Sequence, residues 1–361
     1  MRPVTFALSL GLASLPASSL CKASDWSVSY GGNFQHDYSR YSLSGDIDGE
    51  ADAARRSRVS LKASHASGLE LKGEWDFASG TVTDLYVDLP AAGGKLRFGQ
   101  YKQPFTLDEQ GSSRDLALME RSIAHDASTI GRRVGLMWMQ PLGSLQLQAS
   151  GYAGLTEQIS GSAGIALRGF SVARPDLQLG VAAAYEQRDD ERLRLRARAE
   201  SRLLPLSPLD LGSFAAVGSN ARLGLEAAWL RDSWTVQSEA FTLRGQRPGS
   251  DPSGQGAYLQ ASWLSGGHAR SLRDGAVRKP KFEAESLAFE LAARISRVDF
   301  DLGSAALGAQ TQIGFAATVY VGANWQFSAH YGNFEADRSL RVSRPGEYSG
   351  HFTAVRAQYG F

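Results

Sequence analysis

From residue 26 to the last residue, the chain repeats one pattern: apolar and polar residues alternate with period two, segment after segment. Trp26, Val28, Tyr30 and Phe34 share one parity. So do Leu223, Leu225, Ala227 and Trp229, then Leu287, Phe289, Leu291, Ala293 and Ile295, and finally Thr353, Val355, Ala357, Tyr359 and Phe361. In extended backbone, successive side chains point to opposite faces, so each segment reads as a strand with one apolar face. About sixteen such segments follow one another, each long enough to cross a bilayer as a tilted strand. Helical periodicity is scarce; its best candidate is Arg114 to Ile123, which lies in a gap. Nothing reads as a second domain or a linker.

The connections alternate in length. Short turns are predicted near 65–67, 90–94, 141–143, 173–175, 231–232 and 322–324, and long connections over about 39–52, 102–130, 188–219, 245–255 and 338–349. Short turns on one side and long loops on the other are the habit of outer-membrane barrels. Two connections break the habit: 79–81 is short where a loop is due, and 266–283 is long where a turn is due.

Alternation does not say which face is wet. A soluble barrel or sandwich hides its apolar parity, whereas a membrane barrel turns it to lipid around a wet lumen. Three features favour the membrane. The length is large for a single soluble β domain. Aromatics (Trp26, Trp75, Trp229, Trp234, Trp325, Tyr359) sit near segment ends, as interface girdles require. The chain also ends on Phe361 in an alternating strand, like the terminal signal of outer-membrane barrels. The fold class expected is therefore an all-β transmembrane antiparallel barrel over residues 24–361, with an inward-folded third loop. A secreted, soluble β-rich binding protein is the alternative.

Residues 1–23 read as a secretory signal: Arg2, an apolar run from Phe6 to Leu15, then small residues up to a cut after Ala23. The cut removes Cys21, the only cysteine, so no internal disulfide forms. Export and the barrel pattern together place the protein in the outer membrane of a Gram-negative cell, with lipid as its partner.

With 38 Lys+Arg against 37 Asp+Glu, the net charge is +1, which excludes a generally basic nucleic-acid binder. Any attraction for anions must come from where the charges sit. The six histidines show no metal-ligand spacing, no serine-nucleophile motif occurs, and no cofactor is implied. A channel rather than an enzyme is expected; a hydrolase with no nameable residues is the remaining catalytic alternative.

If lipid takes one parity, the lumen takes the other. Arg56, Arg58 and Lys62 then line one wall, joined by Lys95 and Arg97, with Arg133, Arg222, Arg294 and Arg356 elsewhere. Glu70, Glu74, Asp76, Asp84 and Asp88 make an acidic wall, and two walls of opposite sign set a field across the lumen. Arg192, Arg194, Arg196 and Arg198 alternate with Leu193, Leu195, Ala197 and Ala199, so four guanidinium groups share one face about 6.6–6.8 Å apart. Such a row suits anions that pass from one cation to the next; its blander reading is a charged edge strand. A single strand running from 177 through 199 would outgrow the bilayer, so 192–198 is expected in a loop that re-enters the pore.

Gln103 to Ala127 is too long for an unstructured connector and is expected to fold inward, with Arg114 and Arg121 as constriction cations beside Ser112 and Ser113. His268, Arg270, Arg273, Arg278, Lys279 and Lys281 in 266–283 suggest a basic exit mouth or a solvated turn.

Several stretches, in order, resemble the phosphate-selective porin O/P family of Gram-negative outer membranes. They are Arg55-Arg-Ser-Arg-Val-Ser-Leu-Lys62, Phe98-Gly-Gln-Tyr-Lys-Gln-Pro-Phe105, Ser112-Ser-Arg114, Met119-Glu-Arg121, Trp234 to Glu239, Tyr258 to Trp263, Glu290 to Ser296 and Gly322 to Trp325. The resemblance implies a sixteen-stranded porin, a homotrimer, with an inward third loop and a ladder of lumen arginines that includes Arg56, Arg58 and 192–198. It implies passive passage of small anions, phosphate or polyphosphate among them; a general or differently specific porin is the alternative. Asp108 and Glu109 put two acids where phosphate-specific members tend to be more basic.

Overall fold

A sheet of amphipathic strands leaves unpaired backbone groups at its two edges, which lipid cannot satisfy; closing the sheet removes them. The computed structural model, which describes residues 25–45, 47–153, 162–205, 207–338 and 346–361, shows that closure. The signal segment lies outside the described residues. Around the barrel run β1 (Trp26–Leu43), β2 (Ile47–His65), β3 (Glu70–Asp76), β4 (Thr81–Ala91) and β5 (Gly94–Lys102). Helices α1 (Leu107–Gln110) and α2 (Ile123–Ser128) lie in the third loop, before β6 (Arg132–Leu142), β7 (Leu145–Ala153), β8 (Ser162–Ser171) and β9 (Leu177–Arg188). Two strands outside the barrel, β10 (Leu193–Ala197) and β11 (Leu209–Phe214), pair with each other in the fifth loop. The barrel resumes with β12 (Ser219–Arg231), β13 (Trp234–Gln246) and β14 (Pro252–Leu264). A small hairpin of β15 (Ser271–Arg273) and β16 (Ala276–Arg278) follows. The barrel ends with β17 (Leu287–Leu302), β18 (Ala305–Val321), β19 (Trp325–Arg338) and β20 (Gly346–Gly360), which pairs with β1 from Asn33–Gly360 to Leu43–Gly350.

The apolar parity faces outward. Leu287 is 74% exposed and Phe289 and Leu291 are about half exposed, whereas Glu290, Ala292 and Arg294 between and beyond them are buried inside. A soluble barrel would show the reverse, so that alternative falls. On β17 the apolar outward run from Leu287 to Ile295 gives way to exposed Arg297 and half-buried Asp299, 2.6 Å apart. Eight steps at ~3.4 Å and a tilt of ~40° make this belt about 21 Å tall, near the thickness of an outer-membrane apolar band. Trp26, Trp138, Trp229, Trp234, Trp263 and Trp325 all lie toward the end of the barrel that carries the short turns; only Trp75 lies toward the loop end. Ala92 and Gly93, both with positive φ (47° and 77°), make the tight turn between β4 and β5 that matches the twist of paired strands.

Two predicted long loops are strands instead. β1 and β2 pair out to Leu43–Ile47, and β13 and β14 leave only 247–251 between them, so 39–52 and 245–255 are tall hairpins standing above the belt. Polar residues on both faces beyond the belt hid these strands from an alternation criterion. The helix expected over Arg114 to Ile123 is also displaced: α1 and α2 flank it. Thr106 and Ser122 accept hydrogen bonds from the amides of Glu109 and His125, so the caps set the helix positions.

Candidate ion pathway

The third loop (103–131) and the fifth loop (189–218) both fold inward and meet. Leu193, Leu195 and Ala197 of β10 and Leu209 of β11 pack with Ile123 and Ala124 of α2 against Phe241, Tyr258, Val298 and Phe300 on the lumen side of the wall. The middle of the arginine row, Arg194 and Arg196, therefore lies on a two-faced strand inside the loop end of the barrel, with Arg192 and Arg198 just beyond its ends. Its apolar face is buried and its guanidinium face looks away from the wall.

Charge locks this half. Glu120, buried in the third loop, accepts from Arg55 (2.9 Å), Arg56 (3.1 Å) and Arg356 (2.8 Å), with Arg202 of the fifth loop 4.0 Å away. Asp126 on α2 takes Arg198 (2.8 Å) and Arg202 (2.9 Å). Glu200 of the fifth loop takes Arg294 (3.0 Å) and Ser296 (2.9 Å) of β17. Burial raises the pKa of Glu120, but Arg56, Arg55 and Arg356 outweigh it and hold the carboxyl well below its usual range. In Asp126 burial is likewise outweighed, by Arg202 and Arg198.

Below the loops, toward the turn end, lies a cavity of about 810 Å³. Its lining carries nine cations (Arg58, Lys62, Lys72, Lys95, Arg97, Lys102, Arg114, Arg132, Arg278) and five carboxylates (Glu70, Glu74, Asp84, Asp88, Asp274), an excess of four positive charges. The two walls of opposite sign are not separate. Their strands are neighbours, so the charges interlock: Arg58–Asp76 (2.8 Å), Lys62–Glu70 (2.9 Å), Lys72–Asp84 (2.8 Å), Lys95–Glu70 (3.4 Å), Arg97–Asp88 (2.7 Å) and Arg132–Asp84 (2.7 Å). Arg278 lies 3.6 Å from Asp115. Among the described residues, Lys102 and Arg114 alone of the nine have no carboxylate within 4.0 Å. The Lys102 ammonium donates to the carbonyls of Glu109 and Gly111, both at 2.7 Å, which leaves it one free N–H.

The sequence candidates thus divide. Arg58, Lys62, Arg97 and Arg114 line the cavity. Arg56 is buried against Glu120 above it, and Arg121 donates to the carbonyls of Asp108 and Gly111 within the third loop, both at 2.7 Å. Arg133 is half-buried on β6 and donates to the Arg132 carbonyl (2.9 Å). In the row, Arg192 is exposed, Arg194 pairs with Asp210 and Arg198 with Asp126. Asp108 and Glu109 are used inside the loop. Asp108 accepts from the Ser122 amide (3.1 Å), and Glu109 lies 2.8 Å from His125. Burial pushes Glu109 up, but Arg121 and Lys102 bring it to about 2. The connection 266–283 folds into the lumen rather than out of it: Arg270 is buried against Glu290 (2.7 Å) and donates to the Asp115 carbonyl.

Sequence reasoning missed Arg55 and Lys102. Between Gln35 and His36 the β1–β2 register slips, leaving Arg55 unpaired, so consecutive Arg55 and Arg56 both turn to Glu120. Strict alternation sends Lys102 to lipid, yet at the end of β5 it bends onto the third loop.

A family model described as phosphate-selective porin O and P matches residues 28–361. No curated protein matches the chain in sequence. In-vitro folded OmpT, an outer membrane protein of Vibrio cholerae, shares the fold at TM-score 0.66 and 10% identity, covering 95% of this chain and 100% of that one. The trimer form of that protein gives TM-score 0.62 at 11% identity, covering 93% and 100%. The outer membrane channel DcaP of Acinetobacter baumannii gives 0.59 at 12% identity, covering 95% and 99%.

Proposed function

The chain belongs to the phosphate-selective porin O and P family and is an outer-membrane channel; from that premise we propose that it passes small anions passively, phosphate-like oxyanions among them. The observation that supports this reading is the surplus of cations in the cavity, with Arg114 exposed and lacking a carboxylate partner and Lys102 holding a spare donor. Cations lining a pore raise the local concentration of anions and repel cations. On this reading Arg56, Arg58, Lys62, Arg97, Arg121, Arg133 and the 192–198 row shape the potential, and Arg114 meets the ion.

Purified protein in planar bilayers across a potassium chloride gradient tests it. A reversal potential on the anion side is expected, and a cation-selective or silent protein overturns it. A second reading, a general porin whose arginines only brace the lumen, draws on the seven of nine cavity cations that have a carboxylate within reach. Arg114→Ala separates the two, because bracing alone predicts unchanged selectivity. Removal of residues 1–23 on export and assembly as a homotrimer complete the proposal, checked by N-terminal sequencing and by crosslinking in detergent.

A further inference from the structure

The charged residues of the cavity are not spread around it. β2 to β5 carry six of the nine cations and four of the five carboxylates, whereas the next strands along the wall, β6 to β8 below Arg132, contribute Met137, Met139, Pro141, Gln146, Gln148 and Phe170. Met137 and Met139 sit on the lumen parity of a strand whose other parity, Leu136 and Trp138, is also apolar, so lipid exposure does not explain them. The chain has four methionines in all, one of them Met1. Two of the other three stand side by side on this wall.

The register sets the two chemistries edge to edge. Arg97 lies directly across from Met137, and Lys95 from Met139. Both cations keep donors to spare. Arg97 gives Nε and Nη2 to Asp88 (2.7 Å each), leaving Nη1, and Lys95 makes one contact, with Glu70 at 3.4 Å. Arg97 is also stacked on Tyr86, 3.8 Å from the ring centroid. A flexible, polarisable thioether wall beside a row of cations fits a solute that carries both an anionic head and an apolar body. An inorganic oxyanion would leave that wall facing water.

We propose that the seam between β5 and β6, Lys95 and Arg97 against Met137 and Met139, binds small organic anions with an aromatic or similarly apolar body, of the arene carboxylate class, in preference to inorganic phosphate. The carboxylate takes the spare donors of Arg97 and Lys95, and the ring lies on the methionine side chains. This inference rests on the anion-channel reading above.

Block of chloride current in planar bilayers tests it, with benzoate, acetate and inorganic phosphate as probes. Benzoate is expected to block at concentrations about fivefold or more below acetate, because only benzoate places a ring on the thioethers. Met137→Gln/Met139→Gln is expected to bring benzoate and acetate within about twofold of each other. Any variant that conducts has folded, and Met139→Gln alone, at the less buried position, supplies a milder second variant with a smaller loss in the same direction. Equal block by benzoate and acetate in the native channel overturns the inference, as does an undiminished benzoate preference in both variants. Neither substitution changes a charge, so the reversal potential in the same bilayers reports the anion reading separately. A cation-selective channel sinks that reading, whereas an anion-selective channel indifferent to the ring sinks only this one.

Discussion

The two ends of the barrel interior use the same residue types to opposite effect. At the loop end, arginines are buried or half-buried and matched to carboxylates on the inward loops: Arg55, Arg56 and Arg356 to Glu120, Arg198 and Arg202 to Asp126, Arg294 to Glu200. At the turn end the charges border a cavity of about 810 Å³ and the cations outnumber the carboxylates nine to five. A buried cation must be compensated, because desolvation outweighs anything an unpaired one can gain. A cation on a wet wall is free to keep a surplus. Coverage by a loop, not the identity of the side chain, decides whether an arginine clamps the fold or meets an ion.

The sharpest way to break this contrast is Glu120→Ala. It leaves Arg56 buried and Arg55 half-buried without a carboxylate, while Arg356 keeps Asp37, and costs about 3–5 kcal/mol in the docking of the third loop. Single-channel conductance should rise and the third loop should become cleavable by trypsin at Arg114 or Arg121, while heat-modifiable mobility shows the barrel intact. If conductance and cleavage stay native, the loop end is not held by charge.

Acid should act in the same place. The loop carboxylates Glu120, Asp126 and Glu109 have folded pKa values below their unfolded ones, Glu109 at about 2. Their contribution is therefore fully present above the unfolded values of roughly 4 and is lost as pH falls toward the folded ones. Conductance should hold from neutrality down to about pH 4 and rise below it. A rise centred near neutrality would point instead to a histidine. Burial already holds His125 below its usual value and leaves it neutral there.

How much of this contrast could be read from residues alone follows from what alternation encodes. The facing of Leu287, Phe289 and Leu291, and the two-faced character of 192–198, are properties of a strand by itself, and both were legible. Glu120 was not, because its partners Arg55 and Arg356 come from strands 65 and 236 residues away, brought together only by closure of the barrel. The segregated acidic and basic walls failed for a related reason. Each wall was right strand by strand, but strands that neighbour one another let Lys72 reach Asp84 and Arg97 reach Asp88. Arg55 escaped because a single bulge reverses the parity rule for one residue.

In the cavity, Arg114→Ala removes an exposed cation without stranding a carboxylate. The expected result is a fall of about fivefold in the anion-to-cation permeability ratio at low salt, with conductance largely kept. A larger effect from Lys62→Ala, whose cation has Glu70 beside it at 2.9 Å, would mean that paired residues set the potential after all.

The smallest effect is expected from Arg194→Ala/Arg196→Ala, although that row is what the sequence most visibly advertises. Arg194 is exposed and its charge is answered by Asp210; Arg196 is half-buried with Arg198 as a like-charged neighbour. Removing both leaves Asp210 uncompensated at the loop end, so anion preference should fall, but exposed charges act through water and salt. At about 0.1 M salt the change should stay within about twofold, and at about 1 M, where the screening length is about 3 Å, it should vanish. Reversal potentials of the double variant at both salt concentrations decide the matter. A shift larger than that of Arg114→Ala, or one that survives high salt, would mean that ions are selected among the folded loops rather than in the open cavity, and the division of labour between the two ends would have to be reversed.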